Sequence, residues 1–394
     1  MIRSGRLVLF VIAAMSSTST DAAIVHVPRD HHILQDAIDA ASAGDTILLA
    51  PGRYLIDNSL EVPKRLTIAS NYINSGNDAD IKKTIIKAAA TARLQWFDLL
   101  AEATGTRIVG LTIEGNQRHS LAIRNKHSEV SHCRFVRGDD QLSFEGGGGL
   151  ITHCYFENAG DDAIDADFSV SWIVEYSTIQ TPKDDGIEIR LHEKEGPLTT
   201  HVARYNSFTG STTGVQMIDY KGDSHRQIEI SNNIIRNTKS TAVDCTVHTS
   251  NRNVNGSSML EEARIFNNTI DGCLNGITMA PNLVVLNNVF TNTRTQAIVS
   301  GTYLKSRDNS IVDHCLFFKN QSNYDEGLNI GKNLFTFDPR YVEPASYRLS
   351  PESPAVDRGV ASYRRGGVEV LKIPRARYSG KAPELGAIER GSIR

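Results

Sequence analysis

Two runs of the chain are dense in carboxylates, DDAID at 161–165 and DDGIEIR at 184–190. Carboxylates in such numbers can supply the several oxygens that a hard cation takes, or divide into acid and base for proton transfer. Brought together they also repel, since two unit charges about 5 Å apart cost roughly 3 kcal/mol at an effective dielectric near 20. Either the runs never meet, or a metal, a cation such as Arg190 or a proton held by a raised pKa answers that cost. The elements that carry them decide which.

Those elements repeat. One phrase recurs as IVGLTI (108–113), VSHCRF (130–135), ITHCYF (151–156), VEYSTI (174–179), ARYNSF (203–208), ISNNII (230–235), IFNNTI (265–270), VLNNVF (285–290) and VDHCLF (312–317). Its fourth position runs Leu111, Cys133, Cys154, Ser177, Asn206, Asn233, Asn268, Asn288, Cys315, in steps mostly of 20 to 29 residues with one of 35. Each phrase is too short for a helix, and the step is that of a parallel β-helix coil. Equivalent residues of successive coils then stack about 4.8 Å apart, so one position becomes a ladder along the axis. The Asn positions form a hydrogen-bonded ladder, and Cys133 and Cys154 fill the same small slot as buried thiols, with a disulfide between them as the alternative.

A second phrase alternates with the first: LAIRN (121–125), QLSFE (141–145), AIDAD (163–167), GIEIR (186–190), GVQMI (214–218), AVDCT (242–246), GITMA (276–280) and AIVSG (297–301). Alternation points Ile123, Leu142, Ile164, Ile187, Val215, Val243, Ile277 and Ile298 inward. The outward row then reads Arg124, Ser143, Asp165, Glu188, Gln216, Asp244, Thr278, Val299, and a parallel row two residues on includes Glu145, Asp167 and Arg190. This register sets Asp165 beside Glu188 and stacks Asp162 on Asp185. The longer insertions, LHEKEGPLTTH after Arg190, DYKGDSHRQ after Ile218 and VHTSNRNVNGSSMLEE after Thr246, all rise on the same rim. They form a cleft wall that brings Tyr220, Lys221, His225, Arg226 and His248 toward the carboxylates. With Arg124 and Asp244 in the outward row, Arg124, Tyr220, His225, Arg226, Asp244 and His248 are the candidate substrate-binding residues. Two plainer readings stand beside this one. Asp161 and Asp184 could serve as turn residues whose side chains accept backbone N–H groups, and Arg190 could knit the row into a solvated salt-bridge ladder.

With 394 residues, 40% of them hydrophobic and 22% charged, the chain can build a sizeable core, and a net charge of -3 gives no basic surface for nucleic acid. MIRSGRLVLFVIAAMSSTSTDAA at the N-terminus pairs Arg3 and Arg6 with an apolar run too short to span a bilayer. That is the pattern of a signal peptide over 1–23, and it predicts a secreted or periplasmic protein without a membrane span. HHILQDAIDAASAGD has Ile33, Leu34, Ala37, Ile38 and Ala41 at helical spacing and predicts a short helix closing the first coil. The all-β solenoid with this cap covers 24–331, and a non-repeating tail, 332–394, packs on the last coils. A monomer is expected.

The coil repeat, the N-terminal pattern and the Asn ladder resemble the right-handed parallel β-helix superfamily of pectate lyases and related secreted carbohydrate-active proteins, over roughly residues 30–330. Within it NAGDDAID (158–165), with Asp139 and Asp140 one coil earlier, is similar to the calcium cluster of one pectate lyase family. By that similarity Asp140, Asp161, Asp162 and Asp165 would be ligands of Ca2+. The chain departs from that family one coil later, where Glu188 stands at the position of the proton-abstracting Lys. A base would then be Arg190 or Lys221. The motifs of the alginate and chondroitin lyases are incomplete here, and the polygalacturonase signature goes no further than paired aspartates. What the resemblance implies is calcium-assisted β-elimination on an acidic, uronate-containing polysaccharide. A glycan-binding β-helix without catalysis, and a hydrolase using Asp162, Asp185 or Glu188 as its carboxylate pair, remain the alternatives.

Overall fold

The computed structural model describes residues 22–391 apart from 168–169, 193–195, 221–224, 250–252, 256 and 303–308. The segment read as a signal peptide, 1–23, therefore lies almost wholly outside the described residues, as does Lys221. Among the described residues no helix is long and apolar enough to cross a membrane.

Each coil gives one short strand to each of three sheets, as Ser128–Ser131, Arg134–Val136 and Leu142–Phe144 do in turn. The first sheet has 12 strands and the other two 11 each. Strand pairing along all three is parallel, because each strand meets its equivalent one full turn later, except that the loop strand Asn253–Asn255 pairs antiparallel with Thr241–His248. Alternation fixes which face is buried. Val130, Phe135, Leu142 and Phe144 of the coil above have no exposed surface, and with their equivalents they form one continuous core.

Between the first and second sheets the chain turns through a left-handed residue on coil after coil: His132, His153, Tyr176, Tyr205, Asn232, Asn267, Asn287 and His314, with φ between 48° and 58°. The residue after it points inward and makes the expected ladder. Asn206, Asn233 and Asn268 each donate from Nδ2 to the Oδ1 of the next rung at 3.0–3.2 Å, and each also donates its backbone N–H to that same oxygen at 2.9 Å. Cys133 and Cys154 are buried free thiols on two earlier rungs.

At the N-terminal end, helix α1 (Leu34–Ala40) buries Leu34, Ala37 and Ile38. Ile33, expected on the same face, is 60% exposed because it precedes the first turn in an extended conformation. An insertion between the first and second sheets forms α2 (Tyr72–Ser75) and α3 (Asp78–Lys83). At the other end, single bridges to Tyr324, Ile330 and Phe335 cover the final strands of the three sheets. The tail does more than cover that end. Its hairpin, Ser362–Arg365 with Val368–Lys372, packs Val370 and Leu371 on Phe266, Val284 and Leu286, and the chain then runs back along the solenoid.

Candidate active site

The third sheet presents the carboxylates. Asp165 is the register partner of Glu188, Ser143 of Asp165, Gln216 of Glu188 and Asp244 of Gln216, the predicted row in consecutive rungs. Arg124 does not belong to it. Leu121, not Ile123, pairs with Leu142, which shifts Arg124 into the neighbouring row, where it bonds Asp98 at 3.0 Å and approaches Glu145 at 3.7 Å. Leu121 and Ile123 both point inward, so the period of two could not choose between them.

Asp165 and Glu188 are nearly buried, 2% and 8% exposed, on adjacent rungs. Burial pushes the Asp165 carboxyl up to about 9; Arg190 opposes this, while Asp167, Glu188 and Asp140 add to it. Glu188 is raised by burial against the pull of Arg190 and of its bond to Asp165. Asp165 thus keeps a proton through neutral pH, the physical answer to placing two acids on neighbouring rungs. Arg190 Nε lies 2.6 Å from Glu188 Oε2, and its Nη1 donates to Asp167 Oδ1 at 2.6 Å. Burial works against the Arg190 cation, but Asp165, Glu188 and Asp167 outweigh it and raise its pKa. Arg190 is consequently a fixed positive charge and unsuited to act as a base.

A separate ladder runs through the turns that enter these strands. Asp162 donates its backbone N–H to Asp140 Oδ1 at 3.2 Å, and Asp185 donates its own to Asp162 Oδ1 at 2.8 Å. The turn role considered for Asp161 and Asp184 is therefore filled one residue along, by Asp140 and Asp162. Burial raises the pKa of both, and of Asp185, while His119 Nε2, 3.1 Å from Asp140 Oδ2, opposes it at Asp140. The four carboxylates implied as calcium ligands are divided. Carboxylate oxygens of Asp161, Asp162 and Asp184 lie within 4.8 Å of one another, with Asp161 and Asp184 exposed, whereas Asp140 and Asp165 lie outside this group. Three converging oxygen donors suit a hard cation, and Asp184 takes the place expected of Asp140 or Asp165.

Beside Arg190 stands a row that the motifs did not reveal. His192 stacks on Tyr220 with ring centroids 4.0 Å apart, and Tyr220 on His248 at 4.6 Å. Burial lowers the His192 pKa and raises that of Tyr220. Tyr220 and His248 were singled out from their loops; His192 was missed. The signal was there, since 192, 220 and 248 follow one another at equal steps of 28. Asp244 ends the carboxylate row, its pKa raised by burial against a bond from Thr278. Of the remaining candidates, His225 is exposed, but Arg226 is 2% exposed and shares the inward face of its strand with Ile228 and Ile230. Among the described residues no Arg226 nitrogen has a hydrogen-bond partner, and burial lowers its pKa to about 10 against the nearby Glu261. Arg226 thus lies on the inward face of its coil, and its charge acts on His192 of the ring row.

A family model described as "Right handed beta helix region" matches residues 99–259. Among solved structures the chain is similar to a family 28 exopolygalacturonase of Yersinia enterocolitica, at 12% identity over 81% of this chain and 79% of that one, with a TM-score of 0.51. It is also similar to the pectate lyase Pel9A, at 14% identity over 91% of each chain (TM-score 0.47), and to a tailspike mutant of E. coli bacteriophage HK620, at 14% identity over 78% and 63% (TM-score 0.45). No curated protein matches it by sequence. At such identities what is shared is the fold. The chain has the right-handed parallel β-helix fold.

Proposed function

We propose that the protein cleaves a glycan laid across the third sheet, with the Asp165 and Glu188 pair as its proton-transfer group. The observation that carries this reading is the pair itself: two carboxyls on adjacent rungs beside Arg190, with the Asp165 carboxyl pushed up to about 9. A glycosidic oxygen leaves readily only when it receives a proton, and a carboxyl still protonated at neutral pH supplies one. The C–O bond breaks as that proton moves to the leaving oxygen. Glu188, paired with Arg190, stabilises the positive charge growing at the anomeric carbon. Water adds to that carbon, and the proton it sheds reloads the pair. The ring row His192, Tyr220 and His248 offers a surface beside the pair for the sugar chain. A protein named as an exopolygalacturonase, with the same fold, supports a glycan as the substrate class.

The group of Asp161, Asp162 and Asp184 favours a second reading, calcium-assisted β-elimination on a uronate. Calcium held there would neutralise a substrate carboxylate and so acidify the neighbouring C–H. With Arg190 locked as a cation, the base on this route falls to Lys221.

Incubation of the exported form with polygalacturonate, alginate, chondroitin and neutral glucans separates the two. New reducing ends without ultraviolet absorbance support hydrolysis, and an absorbing unsaturated product that disappears with chelator supports elimination. Cleavage of none of these polymers overturns both.

A further inference from the structure

The corner between the first and second sheets, on the side away from the carboxylate row, carries a second line of rings. Tyr72 meets His132 at 4.8 Å between centroids, His132 meets His153 at 4.8 Å, His153 meets Tyr176 at 5.2 Å, and Tyr176 meets Tyr205 at 4.9 Å. From His132 onward these are the left-handed turn residues of successive coils. A side chain in that conformation costs backbone energy that Gly or Asn would largely avoid, and Asn does occupy the equivalent turns at 232, 267 and 287. The rings lie nearly parallel, within 19° of one another from His132 to Tyr205, so their faces cover each other and their edges point outward. His153 is exposed and Tyr176 is 42% exposed.

The same corner already holds an extended chain over its later coils. Asn287 bonds both backbone groups of Val360, at 2.9 and 3.0 Å, and Asn267 donates to Glu384 O at 2.8 Å. Asn232 donates to Ala387 O at 3.4 Å. The tail stops where the rings begin. Arg377 closes it off, bonding Glu229, Ser231 and Asn232 at 2.9–3.0 Å, with its guanidinium 5.6 Å from the centre of the Tyr205 ring. Beyond that point the corner opens into a cavity of about 600 Å³ between α3 and the rings, lined by Asp78, Lys82, His132, Arg134, His153 and Glu157 among others.

We propose that this ring-lined corner is a second binding groove, for a linear polysaccharide, which holds the polymer away from the site of cleavage. The proposal rests on the reading of the protein as a glycan-cleaving enzyme. Amide rungs grip a peptide by bonding its N–H and C=O together, as the tail shows. The imidazole edges of His132 and His153, spaced along the axis like the coils, carry nitrogens that match the hydroxyls of an extended sugar chain, while the Tyr72 and Tyr205 hydroxyls are engaged by His132 and Arg377. Tyr72 and Thr152 engage the Nδ1 atoms of His132 and His153, each at 2.8 Å, which turns the Nε2 edges of the rings toward the cavity. The charges there balance, Asp78 and Glu157 against Lys82 and Arg134, with Arg134 and Glu157 paired at 2.5 Å. A hydroxyl-rich chain therefore suits the groove better than a strongly charged one.

The test is affinity electrophoresis of the full chain carrying Glu188→Gln, so that the polymer stays intact, in gels containing neutral glucan, polygalacturonate, alginate or chondroitin. Adding Tyr176→Ala and His153→Ala should weaken retardation by at least one of these polymers fivefold or more. In the otherwise wild-type enzyme the same changes should leave turnover of short oligosaccharides within twofold. Retardation that is unchanged by the ring variants, absent on every polymer, or replaced by loss of binding to an extended peptide overturns the groove. Because binding is read without cleavage, failure of the catalytic reading shows separately, as polymer that is bound through the rings and never cut.

Discussion

The Asn ladder and the Asp165–Glu188 row are built alike, from one sequence position repeated on neighbouring coils, and differ in what the stacked groups do to each other. Each amide both donates and accepts, so Asn206, Asn233, Asn268 and Asn288 bond one another along the row and donate to backbone carbonyls beside it, buried throughout. Ionised carboxylates only accept, and one donates only where it retains a proton, as Asp165 does. On the third sheet the same stacking leaves Asp165 Oδ1, Asp185 Oδ1 and Asp244 Oδ1 buried without partners. Stacking therefore stabilises where groups are self-complementary and stores unmet bonding capacity where they are not. The second case is the one that can work on a substrate.

The sharpest way to break this contrast is Glu188→Gln. It should lower glycan cleavage about a thousandfold, the scale of a lost acid–base group, while thermal melting stays the same or rises. Retention of a tenth of the activity would move the site elsewhere. Asn233→Ala should do the opposite, costing about 3 kcal/mol by stranding its buried neighbours and leaving the turnover of the folded fraction intact. Equilibrium denaturation measures it, and a loss below about 0.5 kcal/mol would mean that the ladder is ornamental.

The third check is pH. Folding raises the Asp165 pKa from 3.8 to about 9, so the folded protein keeps a proton that the unfolded chain releases. This contribution is complete below about pH 4 and declines until pH passes 9. Asp165→Asn should flatten the fall in stability over that window, in denaturant melts taken from pH 5 to 9, and an unaltered slope would assign the proton elsewhere. The smallest effect concerns calcium. Tenfold above its dissociation constant it should add about 1.4 kcal/mol of stability, which Asp184→Asn removes and Asp165→Asn does not. Equal stabilisation of all three proteins would place calcium outside the acidic group.

Much of this was legible because the repeat turns sequence spacing into spatial register. Asn206 to Asn288 announced their ladder by recurring after the same apolar phrase, and the step between AIDAD and GIEIR placed Asp165 beside Glu188. Legibility failed where the period left a choice or ran out. Arg124 slipped by two residues because Leu121 and Ile123 are equally good inward residues. Arg226 looked like part of a loop, yet belongs to a strand with its side chain inside. Asp184 was left out of the ligand set, a turn role being the alternative weighed for it, because its partners Asp161 and Asp162 lie one coil away. Arg377 gave no signal at all, since its contacts cross about 146 residues of chain and no period links the two ends.

That last contact has a mechanical consequence. A solenoid pulled from its end would ordinarily unravel one turn at a time, each giving way under a modest load. Here tension on the C-terminus arrives first at Ala387 and Glu384, held by Thr269, Asn232 and Asn267 well inside the stack, and only then at Arg377. The coils beyond these anchors are shielded from peeling, and the protein should yield in one abrupt event when they let go together.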